Sequence, residues 1–213
     1  MADKSNSIAY ENLNRRIFGG VGKYGIPQIY PESFEGECEF VGFNYARGNC
    51  RAPENKAVHF FLDDYQFDGL WRNVNRYVDK LAKFRYVLTP DFSTYTDFPL
   101  AIQIYNHYRK HWVGAYLQEH GYRVIPTISW STPDSYDWCF DGEPEVGTVA
   151  VSSVGCIKSK VAKELFISGY NVMVERLHPE TIIFYGIVPP ECNGNLVRVE
   201  RFTDKFAKAT CEG

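Results

Sequence analysis

The feature that most constrains the fold of this chain is a regular alternation of short apolar runs with helix-length segments. The runs are rich in branched and aromatic residues, and most are followed by Asp, Ser or Pro, which are typical of turns. They occupy residues 58–62, 86–89, 123–128, 148–151 and 181–186. Strands that alternate with helices need crossover connections, so the alternation predicts a largely parallel sheet.

The segments between the runs have helical spacing. Apolar residues recur every three or four positions over 70–81, which predicts one buried face of a helix. A long helix is predicted over 97–120, with Asp97 as its N-cap and Gly121 at its end, and another over 158–178.

These elements predict an α/β fold with a largely parallel sheet of about five or six strands and crossover helices. Segments 40–43 and 196–200 predict a strand at each end. Four βα steps are too few for an eightfold barrel of about 250 residues, so an incomplete barrel or an open twisted sheet is expected. One domain is predicted over residues 1–213: an irregular lead-in to residue 55, a βα core over 56–190, and a C-terminal edge and tail over 191–213.

The composition excludes several classes of protein. A net charge of −3 argues against bulk nucleic-acid binding, which needs clustered Lys and Arg. No apolar run approaches the roughly 18 residues of a membrane span, and the N-terminus lacks the apolar core of a signal peptide. We therefore expect a cytoplasmic protein whose six cysteines are reduced thiols.

Polar residues follow most of the predicted strands, where parallel α/β proteins bind their ligands. Asp63, Asp64 and Asp91 are the candidate catalytic residues, because grouped carboxylates can hold a divalent cation or act as general acid and base. Each could instead cap a helix or close a turn. The candidate ligand-binding residues are Asn44, Ser93, Trp130, Ser131, Ser152, Ser153 and Tyr185.

Two further patterns are weaker. Ser152 to Gly155 precede a predicted helix and could offer N–H groups to an anion, but an ordinary serine cap with a glycine turn is the favoured explanation. His107 and His111 have a metal-binding i, i+4 spacing, but the intervening Tyr-Arg-Lys lacks the Glu of a zinc protease motif. A half-exposed helix face is the expected role of this histidine pair.

Five segments in order resemble the DUF4417 family, which occurs in bacteria, phages and mobile elements. The segments are Gly42-Phe43-Asn44-Tyr45-Ala46, residues 58–67, residues 89–93, residues 124–130 and residues 149–155. The similarity spans roughly residues 17 to 190. It implies a phage-type or mobile-element protein and does not assign a catalytic residue.

Three functions are compatible with the sequence. The first is binding or hydrolysis of a small phosphorylated or nucleotide-like ligand, with Trp130 stacked on its ring and Ser152 and Ser153 holding an anion. The alternative is a non-enzymatic protein that occupies a host protein, such as a defence or nucleic-acid-processing factor, through the acidic and aromatic segment 134–145. A DNA replication or transfer factor is a third option, which the negative net charge disfavours.

Overall fold

The computed structural model describes residues 15–200, which contain nine strands and five α-helices. The strands are β1 (Gly20–Val21), β2 (Ile26–Pro27), β3 (Glu39–Gly42), β4 (Lys56–His59), β5 (Tyr86–Leu88), β6 (Val124–Ile125), β7 (Thr148–Ser152), β8 (Thr181–Tyr185) and β9 (Leu196–Val199). The helices are α1 (Phe43–Ala46), α2 (Asp68–Arg72), α3 (Val78–Leu81), α4 (Leu100–Glu119) and α5 (Lys160–Leu177).

Seven of these strands form two parallel sheets. The first sheet has the order β3-β4-β5-β6 and the second the order β7-β8-β9. One parallel bridge between Thr127 and Ala150 joins β6 to β7, so the strands follow one another in chain order. Within residues 15–200 they do not close into a barrel. The predicted α/β fold with a largely parallel, open sheet is confirmed, with one or two more strands than expected.

The second sheet separates two hydrophobic cores, because side chains alternate between the faces of a strand. Val149 and Val151 of β7 pack with α5 in one core, whereas Ala150 between them faces the other. In β8, Phe184 likewise faces α5 and Tyr185 faces the opposite side. The carboxyl ends of the two sheets meet in the interior, where the rings of His59 and Tyr185 are 4.8 Å apart.

The prediction of one continuous helix over 70–81 is wrong. The structure has α2, a 3₁₀ turn over Val74–Arg76 and then α3, and Asn73 between them is extended, with φ −152° and ψ 79°. Arg15 donates a hydrogen bond to the carbonyl of Trp71 at this break. Because a side chain from a distant segment binds that carbonyl, the helix need not continue to satisfy it.

The N-terminal boundaries also differ from those predicted. The lead-in contains an antiparallel β1–β2 hairpin and the edge strand β3. The long helix α4 starts at Leu100 with Pro99 at its N-cap, so Asp97 is not the cap. None of the helices within residues 15–200 combines the length and the apolar character needed to cross a membrane.

Candidate functional site

Asp64 and Ser93 connect the loops that follow β4 and β5. The hydroxyl of Ser93 donates to Asp64 Oδ1 at 2.8 Å, and the Ser93 N–H also points at this carboxylate, 3.2 Å from Oδ2. Arg109 of α4 lies on the same side, with Nη2 3.8 Å from Asp64 Oδ2. Both predicted residues therefore lie at the strand ends, and Asp64 holds a loop in place.

The loop after β5 has two further attachments. Asn106 of α4 donates to the carbonyl of Ser93 at 2.5 Å, and Thr94 donates to the carbonyl of Trp130 at 3.4 Å. The segments that follow β4, β5 and β6 are thus linked by hydrogen bonds. A loop held in this way is a rigid support for the neighbouring Asp91.

Asp91 is the predicted catalytic residue with the most perturbed acidity. Its carboxyl has no hydrogen-bond partner among residues 15–200, although it keeps some solvent contact. Burial by the surrounding protein raises the pKa of Asp91 to about 7, and the carboxylate of Asp64 adds to this effect. The positive charge of Lys110 lowers the pKa of Asp91 in part. Two of the three predicted carboxylates therefore interact.

Asp63 does not share this environment. It is exposed, and although it precedes the 3₁₀ turn Asp64–Gln66, its side chain makes no capping hydrogen bond. Within residues 15–200 the three aspartates do not form a three-ligand metal group. The structure brings Asp64 and Asp91 together and leaves Asp63 at the surface.

The predicted anion-binding serines lie at the carboxyl end of β7, and a turn separates them from the following helix. Helix α5 begins at Lys160 and is capped by Ser159, whose hydroxyl accepts from the N–H of Ala162 at 3.1 Å. Ser152 accepts from the N–H of Val154 at 3.2 Å, and the buried Ser153 donates its hydroxyl to the carbonyl of Ile187 at 2.7 Å. These groups are engaged within the fold.

Trp130 packs on helix α5. Its ring lies 5.4 Å from that of Phe166, and a Cβ placed on Gly169 would come within 2.2 Å of the indole nitrogen. The close approach requires glycine at position 169. The indole is half-buried against this helix, so only part of its surface is available to a ligand.

The remaining predicted residues line the strand ends from the inside. Tyr185 is buried and stacks on Phe61, with ring centroids 4.9 Å apart. Ser131 and Asn44 each have a buried side-chain oxygen that lacks a hydrogen-bond partner within residues 15–200. Buried polar atoms without partners are uncommon, and they indicate groups available to a ligand or to water.

Exposed apolar side chains follow five of the seven parallel strands, and we call them the strand-end rim. They are Tyr45 after β3, Tyr65 after β4, Tyr95 after β5, Val154 after β7 and Ile187 after β8. The three tyrosines are 55%, 79% and 60% exposed. Because the carboxyl ends of parallel strands face one side of the fold, these side chains belong to one face.

The acidic and aromatic segment 134–145 is mostly internal. Trp138 and Phe140 are buried in the core beside α5, and Tyr136 packs against it. Its Glu143 is also buried. The aromatic side chains needed for a charged docking surface are therefore committed to the fold.

Glu143 meets the histidine pair of α4 inside the protein. His107, His111 and Glu143 are all buried, and each offers one ligand atom within 4.8 Å of the others. Lys110 is also buried, and its Nζ lies 2.6 Å from Glu143 Oε1. The predicted half-exposed histidine face is wrong, because the loop 138–143 and the β1–β2 hairpin cover this side of α4.

Each histidine directs one ring nitrogen at a backbone carbonyl. His107 Nε2 is 3.0 Å from the carbonyl oxygen of Asp141, and His111 Nδ1 is 2.9 Å from that of Pro27. A carbonyl only accepts, so these nitrogens carry the protons. His111 Nε2 then faces Glu143 Oε1 at 2.9 Å, and His107 Nδ1 has no partner within residues 15–200.

Burial dominates the ionisation of this cluster. It lowers the pKa of both histidines, which favours neutral rings. Burial also opposes ionisation of Glu143, but Lys110 and His111 outweigh it and hold the pKa of Glu143 below its ordinary value. The salt bridge between Lys110 and Glu143 therefore lies beside two histidines whose pKa values are lowered by burial.

Lys110 was not identified from the sequence, and Glu143 was considered only as part of the acidic segment 134–145 and not as a partner of the histidines. Gly142, with φ +76°, was the one local signal: a Cβ there would lie 2.8 Å from His111 Nδ1 and 2.6 Å from the carbonyl oxygen of Pro27. A glycine next to an acidic residue indicates a tight turn, but it does not show which helix the turn approaches.

Two surface depressions lie away from the strand ends. One is lined by residues at the β3 and β9 edges, including Phe34, Glu37 and Val197, and the other by Lys163, Asn171 and neighbours on α5. Neither contains a predicted site residue.

Comparison with known proteins identifies the family. The family model for DUF4417, a domain of unknown function, matches residues 18–203. The chain is 42% identical to the Gene 1 protein of Mycobacterium phage L5 over 179 residues, which cover 83% of this chain and 78% of that protein. It is 39% identical to the Gene 1 protein of Mycobacterium phage D29, also over 83% of this chain and over 66% of that protein. No solved structure matches. The chain therefore belongs to the DUF4417 family and is a phage-type protein.

Proposed function

We propose that this protein binds a small, ring-bearing ligand of the nucleotide class at the carboxyl ends of its parallel strands, and that Asp91 exchanges a proton with it. The observation that carries the proposal is the Asp91 carboxyl, which lies beside Asp64 and has no hydrogen-bond partner within residues 15–200. Carboxyl groups kept in such surroundings are typical of acid–base sites.

The acidity of Asp91 suits proton transfer near neutral pH. A group with a pKa of about 7 is present in both protonation states there, so it can donate or accept a proton. Asp64 is engaged by Ser93 and Arg109, which suits a supporting role. The two carboxylates would then differ in function because their surroundings differ.

The strand-end rim supports a ligand that contains an aromatic ring. Tyr45 in α1, Tyr65 in a 3₁₀ turn and Tyr95 in a loop are exposed on the segments that follow three neighbouring strands. Exposed tyrosines are favoured at binding surfaces, because a rigid ring offers apolar area together with a polar hydroxyl. They replace Trp130, which packs on Phe166, as the stacking groups.

Calorimetric titration with nucleoside mono-, di- and triphosphates at pH 6 and pH 8 tests the proposal. We expect binding to one or more of them, with an affinity that changes between the two pH values. Asp91→Asn should remove that pH dependence, whereas Asp63→Asn, at an exposed position, should keep it. If no nucleotide binds, or if both variants behave like the wild type, the proposal is wrong.

A second candidate function is occupation of a host protein by the same face. The strand-end rim favours it, since exposed Tyr, Val and Ile side chains on one face resemble the apolar part of a protein interface. Affinity capture from host lysate with the wild type and a Tyr65→Ser/Ile187→Ser double variant tests it. A partner retained equally by both would contradict the rim as the interface.

A further inference from the structure

The geometry points to a divalent transition-metal site formed by His107, His111 and Glu143, separate from the proposed ligand site. We infer that it takes Zn²⁺ or a cation of similar preference through two imidazoles and one carboxylate. Two histidines and one glutamate are an established ligand set for zinc. All three residues are buried, and their ligand atoms lie within 4.8 Å of one another.

The first support is the orientation of the imidazoles. Histidines that bind metals almost always donate their second ring N–H to a carbonyl or a carboxylate, which fixes the tautomer. His107 and His111 do this to the carbonyls of Asp141 and Pro27, at 3.0 and 2.9 Å. In the neutral rings, the lone pairs are then on His107 Nδ1 and His111 Nε2.

The second support is the set of buried atoms without partners. His107 Nδ1 and Glu143 Oε2 accept no hydrogen bond within residues 15–200, although both residues are more than nine-tenths buried. An unsatisfied buried polar atom costs about 1–3 kcal/mol. One metal ion would satisfy both of these groups.

Lys110 is the feature that opposes cation binding. Its ammonium group contacts Glu143 Oε1 at 2.6 Å and the carbonyl of Thr127 at 2.8 Å, which places a positive charge beside the site. It leaves Oε2 for the metal, and it weakens affinity by repulsion. We therefore expect Lys110→Met to bind metal more tightly than the wild type.

The metal would join three parts of the chain. His107 and His111 belong to α4, Glu143 follows the 3₁₀ turn Pro133–Asp137, and the carbonyl that orients His111 is in β2. Because the three residues are buried, the site is shielded from solvent, and a set of three protein ligands would leave one coordination position for water or another ligand.

The test begins with full-length protein stripped with a chelator and titrated with Zn²⁺ or Co²⁺. We expect one equivalent to bind, Co²⁺ to show ligand-field absorption, and His107→Gln to weaken binding by at least about 10-fold. His120→Gln is the matched control, since His120 is exposed at the end of the same helix. Failure of the wild type to bind either metal would overturn the inference, as would equal binding by His107→Gln.

A measurement on the wild type covers the case in which His107→Gln fails to fold. Imidazole ¹⁵N chemical shifts report metal coordination directly. Zn²⁺ should shift the coordinating nitrogens of His107 and His111 and leave those of His120 unchanged. Unchanged signals for His107 and His111 at saturating Zn²⁺ would exclude the site.

Discussion

Lys110 and Glu143 form an ion pair in the protein interior, with Nζ 2.6 Å from Oε1 and both side chains almost fully buried. Thr127 and His111 complete the contacts of the pair. Charges buried in this way are tolerated only because each has a partner, so loss of one partner leaves the other uncompensated.

We expect Glu143→Gln to destabilise the protein by about 3–5 kcal/mol, because it leaves the ammonium group of Lys110 buried without a counter-charge. Urea unfolding of the metal-free protein measures the change. Glu145→Gln, at an exposed position two residues away, is the control and should change stability by less than about 0.5 kcal/mol. Similar losses in both variants would contradict the role of the buried pair.

Asp91→Asn should stabilise the protein at pH 8 by about 1–3 kcal/mol, the usual range for a single substitution. The folded-state pKa of Asp91, about 7, is raised above its ordinary 3.8, so the folded protein binds the extra proton between these values. The contribution of the Asp91 carboxyl to the free energy of unfolding therefore becomes more favourable as the pH falls from about 7 to about 4. Below about pH 4 this carboxyl is protonated in both the folded and the unfolded protein.

The charged groups that act on Asp91 are Lys110 and Asp64. Thermal unfolding from pH 4 to pH 8 should show the gain of Asp91→Asn shrinking towards acid pH. If the stabilisation by Asp91→Asn is the same at every pH, the Asp91 carboxyl is not a buried anion at pH 8.

Removal of the Asp64–Ser93 contact should lower the free energy of unfolding by about 1–2 kcal/mol, because both hydrogen bonds from Ser93 end on the carboxyl group of Asp64. A double-mutant cycle with Asp64→Ala and Ser93→Ala should give a coupling of at least about 0.5 kcal/mol in chemical unfolding. Asp63→Ala is the matched control and should be close to neutral. Additive single effects would show that the contact contributes little.

Gly169→Ala should destabilise the protein by about 1–3 kcal/mol, although alanine favours helices, because its Cβ would lie within 2.5 Å of three atoms of the Trp130 indole. Asn171→Ala, on the exposed side of α5, should change stability by less than about 0.5 kcal/mol. The melting temperatures of the two variants, compared with that of the wild type, measure these changes. A stabilising Gly169→Ala would mean that the indole moves away at little cost.

The sequence alone determined the alternation of strands and helices, and with it the α/β class and the parallel sheet. Local patterns sufficed because the strands β7 and β8 and the helix α5 carry regular apolar spacing. The break at Asn73 was not predictable in this way, since it coincides with a hydrogen bond from Arg15, 56 residues from Trp71.

The candidate residues at the strand ends were also found from chain order, because parallel strands present their carboxyl ends on one side. Only the tertiary structure decided which of them interact: Asp64 reaches Ser93, whereas Asp63, one residue earlier, points to solvent. The same holds for His107 and His111, whose spacing was visible but whose partner Glu143 lies 32 residues beyond His111. Periodicity records which face of a helix is apolar, but which loop covers a polar face depends on packing between distant segments.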